Sequence, residues 1–268
     1  MNDIDRGQVA HSAARVYDQF FLPALFDEWP ARVLKAARIK PGDAVLDVAC
    51  GTGVLTLAAA ESVGAKGFTA GVDINDGMLS VARKKSEAVE WRSGRAESLP
   101  YPDDNFDAVV SQFGLMFFED RGGAIQEMTR VLKPGGRISI AVWDSLENTP
   151  GYSMMTALLQ RLFGDQTANA LRAPFILGDT EMLGGLFAEA GLEGVVITTH
   201  QGTARFPSLE EWLTIEVKGW TLAELINEDQ FNLLLKEAKP ALQEFVAEDG
   251  SVSFGTPAHI VSGHKPQG

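Results

Sequence analysis

Short apolar runs alternate with amphipathic stretches between residues 44 and 143. Continuous apolar runs of this length are typical of strands that are buried on both faces of a parallel sheet, and the amphipathic stretches between them predict helices. Strands separated by helices imply right-handed crossovers, so the pattern predicts an α/β fold with a doubly wound, mostly parallel sheet and helices on both faces. The predicted strands are 44–49, 67–72, 89–92, 106–112 and 137–143, and the predicted helices are 54–62, the stretch after Asn75, and 123–132.

The flanking segments follow a helical pattern instead. Residues 1–40 predict two N-terminal helices, of which the first is broken or bent at Pro23. Residues 180–190 predict a helix and 195–199 a strand, and two strand-like stretches follow Gly250. We therefore predict one domain over 1–268 with a core at 40–145. Helical insertions at 146–180 and 204–248 are predicted to act as a lid that recognises the substrate.

The composition narrows the classes of partner. The formal net charge is −13, and an acidic surface repels phosphate backbones and anionic membranes, so we expect no nucleic acid and no membrane insertion. The single cysteine, Cys50, excludes an intrachain disulfide and a cysteine-based zinc site, and no metal is predicted. Because no basic start with an apolar run opens the chain, and no stretch of about 20 apolar residues occurs, a cytoplasmic location is expected.

A glycine-rich turn follows the first predicted strand. The sequence Leu46-Asp47-Val48-Ala49-Cys50-Gly51-Thr52-Gly53 leads from that strand into a helix. Glycines let the backbone approach a ligand closely, and the helix N-terminus offers free N–H groups to an anionic group. Asp73 stands 20 residues beyond Gly53, at the end of the second strand, where a carboxylate can accept both hydrogen bonds of a ribose diol.

Two cofactors fit this outline, a dinucleotide and S-adenosylmethionine. The dinucleotide pattern requires a third glycine, but Thr56 occupies that position. The anionic Asp47 beside the turn suits a cofactor with a cationic ammonium and sulfonium better than a pyrophosphate. No tyrosine has a lysine four residues later, as short-chain reductases require. These features favour S-adenosylmethionine, while a ligand-free structural turn stays open at this point.

Four motifs together resemble those of class I S-adenosylmethionine-dependent methyltransferases, in the branch of UbiE/COQ5-like small-molecule enzymes. They are VLDVACGTG, GVDIN, AESLPYPDDNFDAVVSQFGLMFFED and LKPGGR, and they cover about residues 40–145. The resemblance implies a Rossmann-like fold with a seven-stranded sheet. It also implies transfer of a methyl group to a small molecule by direct in-line displacement, with S-adenosyl-L-homocysteine as the product.

The resemblance also implies roles for individual residues. Asp47, Gly51 and Gly53 would hold the methionine end, and Asp73 the ribose. Where such proteins usually have an Asp that accepts from the adenine amino group, this chain has Arg95, which cannot accept a hydrogen bond, so either Glu97 or backbone groups would take that role. The full implied set of cofactor-binding residues is Tyr17, Asp47, Ala49, Cys50, Gly51, Gly53, Asp73, Ile74, Met78, Ala96, Glu97, Ser111, Gln112 and Phe113.

Absent motifs point to the kind of acceptor. The stretch after the fourth strand is Ser-Gln-Phe-Gly, which lacks both the Asn/Asp-Pro-Pro-Tyr loop of enzymes that methylate amino groups on DNA or protein and the Asp of metal-dependent catechol enzymes. A small apolar or aromatic acceptor is therefore predicted. The candidate pocket residues, which ordinary packing would explain equally well, are Phe20, Met116, Phe117 and Trp143.

Catalytic groups are not predicted with a defined role, although Tyr17 and His11 are candidates. Because the sulfonium is already activated, a general base is needed only if the acceptor must lose a proton. Two alternatives to a methyltransferase are a non-catalytic module that binds S-adenosylmethionine and a nicotinamide-dependent oxidoreductase.

Overall fold

The computed structural model describes residues 14–218 and 221–267. Its main feature is a seven-stranded sheet with the strand order β3-β2-β1-β4-β5-β9-β6. A separate two-stranded sheet pairs β7 with β8. The strands are β1 (Ala44–Val48), β2 (Phe68–Asp73), β3 (Glu90–Ser93), β4 (Phe106–Gln112), β5 (Leu132–Trp143), β6 (Glu193–His200), β7 (Thr203–Phe206), β8 (Val252–Gly255) and β9 (Ala258–His264).

Helices connect the strands and also precede β1. They are α1 (Ala14–Val16), α2 (Pro30–Ala36), α3 (Val54–Val63), α4 (Asp76–Lys85), α5 (Arg121–Val131), α6 (Pro150–Phe163), α7 (Asp165–Arg172), α8 (Thr180–Ala188), α9 (Leu209–Lys218) and α10 (Glu228–Ala241). A π-helix, Tyr17–Phe26, follows α1. Short 3-10 turns cover Gly64–Lys66, Leu115–Phe117, Leu146–Asn148, Ala173–Phe175, Thr221–Glu224 and Gln243–Phe245. Within the described ranges, no helix is both long enough and apolar enough to cross a bilayer.

The strand order creates a crevice between β1 and β4. From β1 the chain proceeds outward to β2 and β3, then returns to place β4 on the other side of β1. The pairs from β3 to β5 are parallel, while β9 is antiparallel to both β5 and β6. Ligands of open α/β sheets bind outside the carboxyl ends of the strands at such a point of reversal. The predicted doubly wound, seven-stranded fold is confirmed.

The apolar strand pattern reflects burial on both faces. Val45, Leu46 and Val109 in the two central strands are fully buried. Helices cover both faces of a parallel sheet, so its central strands contain few positions that can tolerate a polar side chain. This explains why the sequence of β1 and β4 predicted them correctly.

Two local predictions need correction. The helix broken at Pro23 is a continuous π-helix: Pro23 lacks an N–H group, and the Asp27 N–H donates to Leu22 O, five residues back, at 3.0 Å. The stretch Lys133-Pro134-Gly135-Gly136, which separates the predicted helix 123–132 from the predicted strand 137–143, lies within β5. The pairing of β4 with β5 shifts its register between Phe106 and Ala108, and this irregularity accommodates the extra residues.

The second predicted insertion contains α9 and α10, which are bracketed by β7 and β8. The strand β7 was missed, since it has only four residues. The side chains of Phe206, Trp212 and Phe254 form an aromatic cluster between this small sheet and α9, with the rings of Trp212 and Phe254 4.7 Å apart. The insertion therefore has its own apolar centre, which joins the main core.

Candidate functional site

The glycine turn between β1 and α3 contains three residues in the left-handed region. Ala49, Gly51 and Gly53 have φ values of 58°, 55° and 92°. A Cβ atom on Gly53 would lie 2.6 Å from the Trp91 ring, so this glycine permits close packing of α3 on β3. A Cβ on Gly51 would meet no atom within 4 Å. Gly51 is therefore the residue whose backbone stays open to a ligand.

Asp73, at the end of β2, holds the turn in place. Its Oδ2 accepts from Gly51 N at 2.8 Å, and its Oδ1 accepts from Asn75 N at 2.8 Å. Burial raises the pKa of this carboxyl, although these backbone N–H groups oppose the shift. An ionised carboxylate has about four acceptor sites, so these backbone bonds leave capacity for a further donor.

A cavity at the carboxyl ends of the strands encloses about 1250 Å³, including open solvent at its mouth. We call it the main cavity. The predicted site residues that line it are Tyr17, Ala49, Gly51, Asp73, Ile74, Met78, Gln112, Phe113, Phe117 and Trp143.

A smaller cavity shares Ala49, Asp73, Ile74 and Phe117 with the main one. Arg95, Ala96 and Glu97 also line it. Arg95 Nη2 pairs with Glu119 Oε2 at 2.8 Å, and Glu97 Oε1 accepts from Glu119 N at 3.0 Å. The carboxylate of Glu97 is thus held in position at the wall of this cavity, while Arg95 neutralises the nearby acidic groups.

The other predicted residues do not line either cavity. Phe20 is 39% exposed on the π-helix, and Met116 is buried in the core. Cys50 is buried with its Sγ close to Gly71, and burial raises the pKa of its thiol. Gly53 lies against Trp91, as described above. His11 lies outside the described residues.

Asp47 and Ser111 lie one layer behind the cavity wall. Asp47 is buried, its Oδ2 accepts from Thr56 Oγ1 at 2.6 Å, and burial raises its pKa to about 7. Thr56, which replaces the third glycine of a dinucleotide turn, therefore orients the acidic residue.

Several buried oxygen atoms around the turn lack hydrogen-bond partners among the described residues. They are Asp47 Oδ1, Thr52 Oγ1, Ser111 Oγ and Gln112 Oε1. Buried polar atoms without partners are rare, and a cluster of oxygens suits a ligand that brings hydrogen-bond donors. The ammonium group of S-adenosylmethionine is such a donor, so the residues present fit this cofactor.

Aromatic side chains form one wall of the main cavity, which we call the aromatic wall. The rings of Phe113 and Trp143 stack with their centroids 3.8 Å apart, and Phe26 packs against both. Tyr17 packs on Phe26 at 5.3 Å. Burial raises the pKa of Tyr17 well above its usual range, so its hydroxyl keeps its proton at neutral pH. Tyr17 can therefore donate a hydrogen bond but does not supply a base.

Sequence reasoning missed the cavity residues that come from the insertions. Within the lining that the structure describes, these include Tyr152 on α6, Phe175 after α7 and Glu216 on α9. One available signal was the position of Glu216, four residues after Trp212 and among apolar residues, which places it on a buried helical face. Others missed are Phe21, Leu25, Phe26, Asn75, Gly114, Phe118, Ala170, Leu171, Pro174, Leu222 and Thr256.

Similar proteins agree with this geometry. A demethylmenaquinone methyltransferase of Lysinibacillus sphaericus is 35% identical over 190 residues, which is 66% of this chain and 81% of the relative. A ubiquinone/menaquinone biosynthesis C-methyltransferase UbiE of Burkholderia mallei is 34% identical over 221 residues, 73% of this chain and 90% of the relative. The YcgJ protein of Bacillus subtilis has the same fold, with a TM-score of 0.61 at 22% identity over 90% of this chain and 99% of that one.

The sequence model of the ubiE/COQ5 methyltransferase family matches residues 3–204, about three quarters of the chain. The match includes the glycine turn, Asp73 and the aromatic wall. The predicted methyltransferase activity is confirmed, and the nicotinamide-dependent alternative does not hold. The chain belongs to the ubiE/COQ5 methyltransferase family and is an S-adenosylmethionine-dependent methyltransferase.

Proposed function

We propose that this enzyme methylates a small aromatic acceptor that binds against the aromatic wall of the main cavity. The observation that carries this proposal is the stacked pair of Phe113 and Trp143, which lines the same cavity as Gly51 and Asp73. Aromatic side chains favour aromatic ligands through apolar burial and offset stacking. The names of the two relatives, which act in menaquinone or ubiquinone formation, are consistent with such an acceptor.

In this proposal, the cofactor occupies the β1–β2 side of the crevice. Asp73 accepts from the ribose hydroxyls, and the Gly51 backbone lies against the methionine portion. Asp47, Ser111 and Gln112 offer acceptors to the ammonium group. Ala96 and Glu97 lie along the adenine edge, while Ile74, which is 47% exposed, and Met78 flank the ring.

The acceptor then occupies the β5–β9 side. Asp73 ends β2 and Trp143 ends β5, three strand spacings away, which corresponds to roughly 14 Å at about 4.8 Å per strand. The side chains of Phe175 and Leu222 line the cavity from the two helical insertions. We infer that the segments 146–180 and 204–248 cover the acceptor and recognise it.

Methyl transfer needs alignment more than activation. S-Adenosylmethionine supplies an activated methyl group, so the chain must align the acceptor nucleophile with the methyl carbon and sulfur. It must also exclude water. The apolar cover from the insertions and the aromatic wall can do both. Among the described residues, no cluster of metal-ligating side chains occurs.

Replacing Phe175 with alanine is the first test. Phe175 lines the main cavity but not the smaller one, so F175A is expected to raise the acceptor KM about tenfold, since burying a phenylalanine side chain contributes roughly 1.5–3 kcal/mol. The KM for S-adenosylmethionine should stay within about twofold. The measurement is transfer of labelled methyl from S-adenosylmethionine to 1,4-naphthohydroquinone, with mass spectrometry of the product.

The adjacent residue provides a matched control. Ile176 is 44% exposed and lines neither cavity, so I176A should leave both constants unchanged. Equal effects of the two substitutions would argue against the assigned acceptor side. Tight binding of S-adenosylmethionine without methylation of any hydroquinone, phenol or amine would favour a non-catalytic binding module instead.

A further inference from the structure

Glu216 is a buried acidic residue in the wall of the main cavity. It lies on α9, beyond residue 204, where the family model ends. Only 3% of its surface is exposed, and it lines the cavity together with Tyr152 of α6. The family match therefore assigns no role to this carboxyl group.

The carboxyl group accepts a hydrogen bond from a neutral donor of another helix. The hydroxyl of Tyr152 donates to Glu216 Oε1, across the contact between α6 and α9. No lysine, arginine or histidine in the described part of the chain forms a salt bridge with Glu216. A buried carboxylate without a cation destabilises the fold, so packing alone does not account for it.

The location of Glu216 separates it from the cofactor end. Tyr152 packs on Phe175 and Phe254, at centroid distances of 5.4 Å for both rings. These residues belong to the helical insertions and to β8, and Thr256, which precedes β9, lines the same part of the cavity. A group bound against the carboxyl would thus lie on the β5–β9 side, where the acceptor is proposed to bind.

The ionisation of Glu216 is set near neutral pH. Burial raises its pKa to about 7, while the Tyr152 hydroxyl and the Trp212 side chain oppose the shift. Tyr152 is the titratable group that faces it, and burial raises the pKa of this tyrosine well above its usual range. Tyr152 therefore stays protonated, and any proton taken up at this site resides on Glu216. A base with a pKa near the working pH is the most effective kind.

We propose that Glu216 binds the hydroxyl group of the aromatic acceptor and takes its proton, which makes it a catalytic residue for phenolic acceptors. This inference rests on the proposed function. The proton moves from the acceptor oxygen to a carboxylate oxygen of Glu216. The electron pair of the resulting phenolate forms the bond to the methyl carbon. The bond between sulfur and methyl breaks, and its electron pair stays on sulfur in the product thioether.

A phenolate can also react at the ring carbon beside the oxygen, and the balance is then the same. The ring carbon loses its own proton to water after the methyl group is attached. Glu216 returns its proton to the acceptor oxygen. In both cases one proton is released for each methyl group transferred, and neither an oxidant nor a reductant is required.

The test compares binding of three probes to the protein loaded with S-adenosyl-L-homocysteine at pH 8. The probes are 2-naphthol, its methyl ether 2-methoxynaphthalene, and 2-naphthylmethylamine, which is cationic. We expect the unmodified protein to bind 2-naphthol at least tenfold more tightly than the ether, because only the phenol donates to the carboxylate. In Glu216→Gln, which keeps the acceptor for Tyr152 but loses the charge, the preference should fall to about threefold or less.

A neighbouring acidic residue provides the matched control. Glu210 is exposed on the same helix, so Glu210→Gln should retain the full preference for the phenol. Equal or undetectable binding of phenol and ether by the unmodified protein would overturn the proposal. So would a preference that persists in Glu216→Gln, or tighter binding of the amine, which would indicate an ammonium acceptor. If S-adenosyl-L-homocysteine itself fails to bind, the proposed function fails before the phenol test begins.

Stability provides the second measurement. Because the folded-state pKa of Glu216 is raised, its stabilising contribution is complete below the unfolded pKa and is lost as the pH rises towards 7. Glu216→Gln should therefore unfold at a higher urea concentration than the unmodified protein at pH 8, with a smaller difference at pH 5. A variant that is less stable at pH 8 and binds phenol and ether equally poorly would show a structural role and overturn the proposal.

Discussion

Replacement of Asp73 by alanine is expected to raise the Kd for S-adenosylmethionine about a hundredfold. The Asp73 carboxylate lines both cavities and has acceptor capacity beyond its bonds to Gly51 and Asn75. Hydrogen bonds to charged groups contribute roughly 1.5–3 kcal/mol each, and two ribose hydroxyls would lose this acceptor. A hundredfold change corresponds to about 2.8 kcal/mol, close to the loss of two such hydrogen bonds at about 1.5 kcal/mol each. Calorimetric titration with S-adenosylmethionine measures the change directly.

The control is Asp76→Ala, three residues further along the chain. Asp76 is exposed in the first turn of α4 and lines neither cavity, so its loss should change the Kd less than about twofold. If Asp73→Ala binds the cofactor as tightly as the unmodified protein, Asp73 does not contact the ribose. A loss of affinity for S-adenosyl-L-homocysteine of the same size would place the effect on the shared nucleoside rather than on the sulfonium.

The fold was predictable where a buried strand appears in the sequence as an uninterrupted apolar run. The central strands β1 and β4 are apolar because both of their faces are covered. Each of them is followed by turn residues, which lead into α3 after β1 and into the Leu115–Phe117 turn after β4. The π-helix was not predictable in this way. Its wider hydrogen bond, from Asp27 to Leu22, depends on a proline that the pattern alone marks as a break. The four-residue strand β7 was too short for its alternation to be recognised.

The proposed cofactor half of the site could be predicted from the sequence, because its residues follow the ends of strands. The position of a residue within a motif does not show which way its side chain points, however. Gly51 opens towards the cavity, whereas Gly53, two residues later, packs against Trp91. Phe117 lines both cavities, whereas its neighbour Met116 enters the core.

The proposed acceptor half could not be predicted from the sequence, because only tertiary contacts bring its residues together. Tyr152 and Glu216 are 64 residues apart in the chain, and only the packing of α6 on the second insertion joins them. Trp143, at the end of β5, was predicted because strand ends line such crevices. No comparable rule applies to Phe175, which follows α7 inside an insertion. The roles of all these residues stay predictions until ligand binding is measured.

Trp29→Ala is expected to reduce the free energy of unfolding by about 3–5 kcal/mol, the usual cost of removing a large buried aromatic side chain. Trp29 is fully buried, and its Nε1–H donates to Leu25 O at 3.0 Å. Its ring meets those of Phe113 and Trp143 edge-on, at 5.5 and 5.8 Å. Urea denaturation at 25 °C measures the effect.

The structure explains why other residues do not compensate for this loss. A Cβ atom on Gly202 would lie 2.4 Å from the Trp29 ring, so the backbone approaches the ring closely there and no side chain can fill the space. The cavity left by Trp29→Ala would lie directly behind the aromatic wall. The wall should then lose its fixed position, so the acceptor KM should rise as the stability falls.

Phe20→Ala is the companion variant. Phe20 lies on the π-helix, 39% exposed and outside both cavities, so its loss should cost less than about 1 kcal/mol and leave the acceptor KM unchanged. If Phe20→Ala impairs the acceptor KM while Trp29→Ala does not, the aromatic wall is not the acceptor surface. Phe20 would then contribute to the acceptor site, as the sequence analysis predicted.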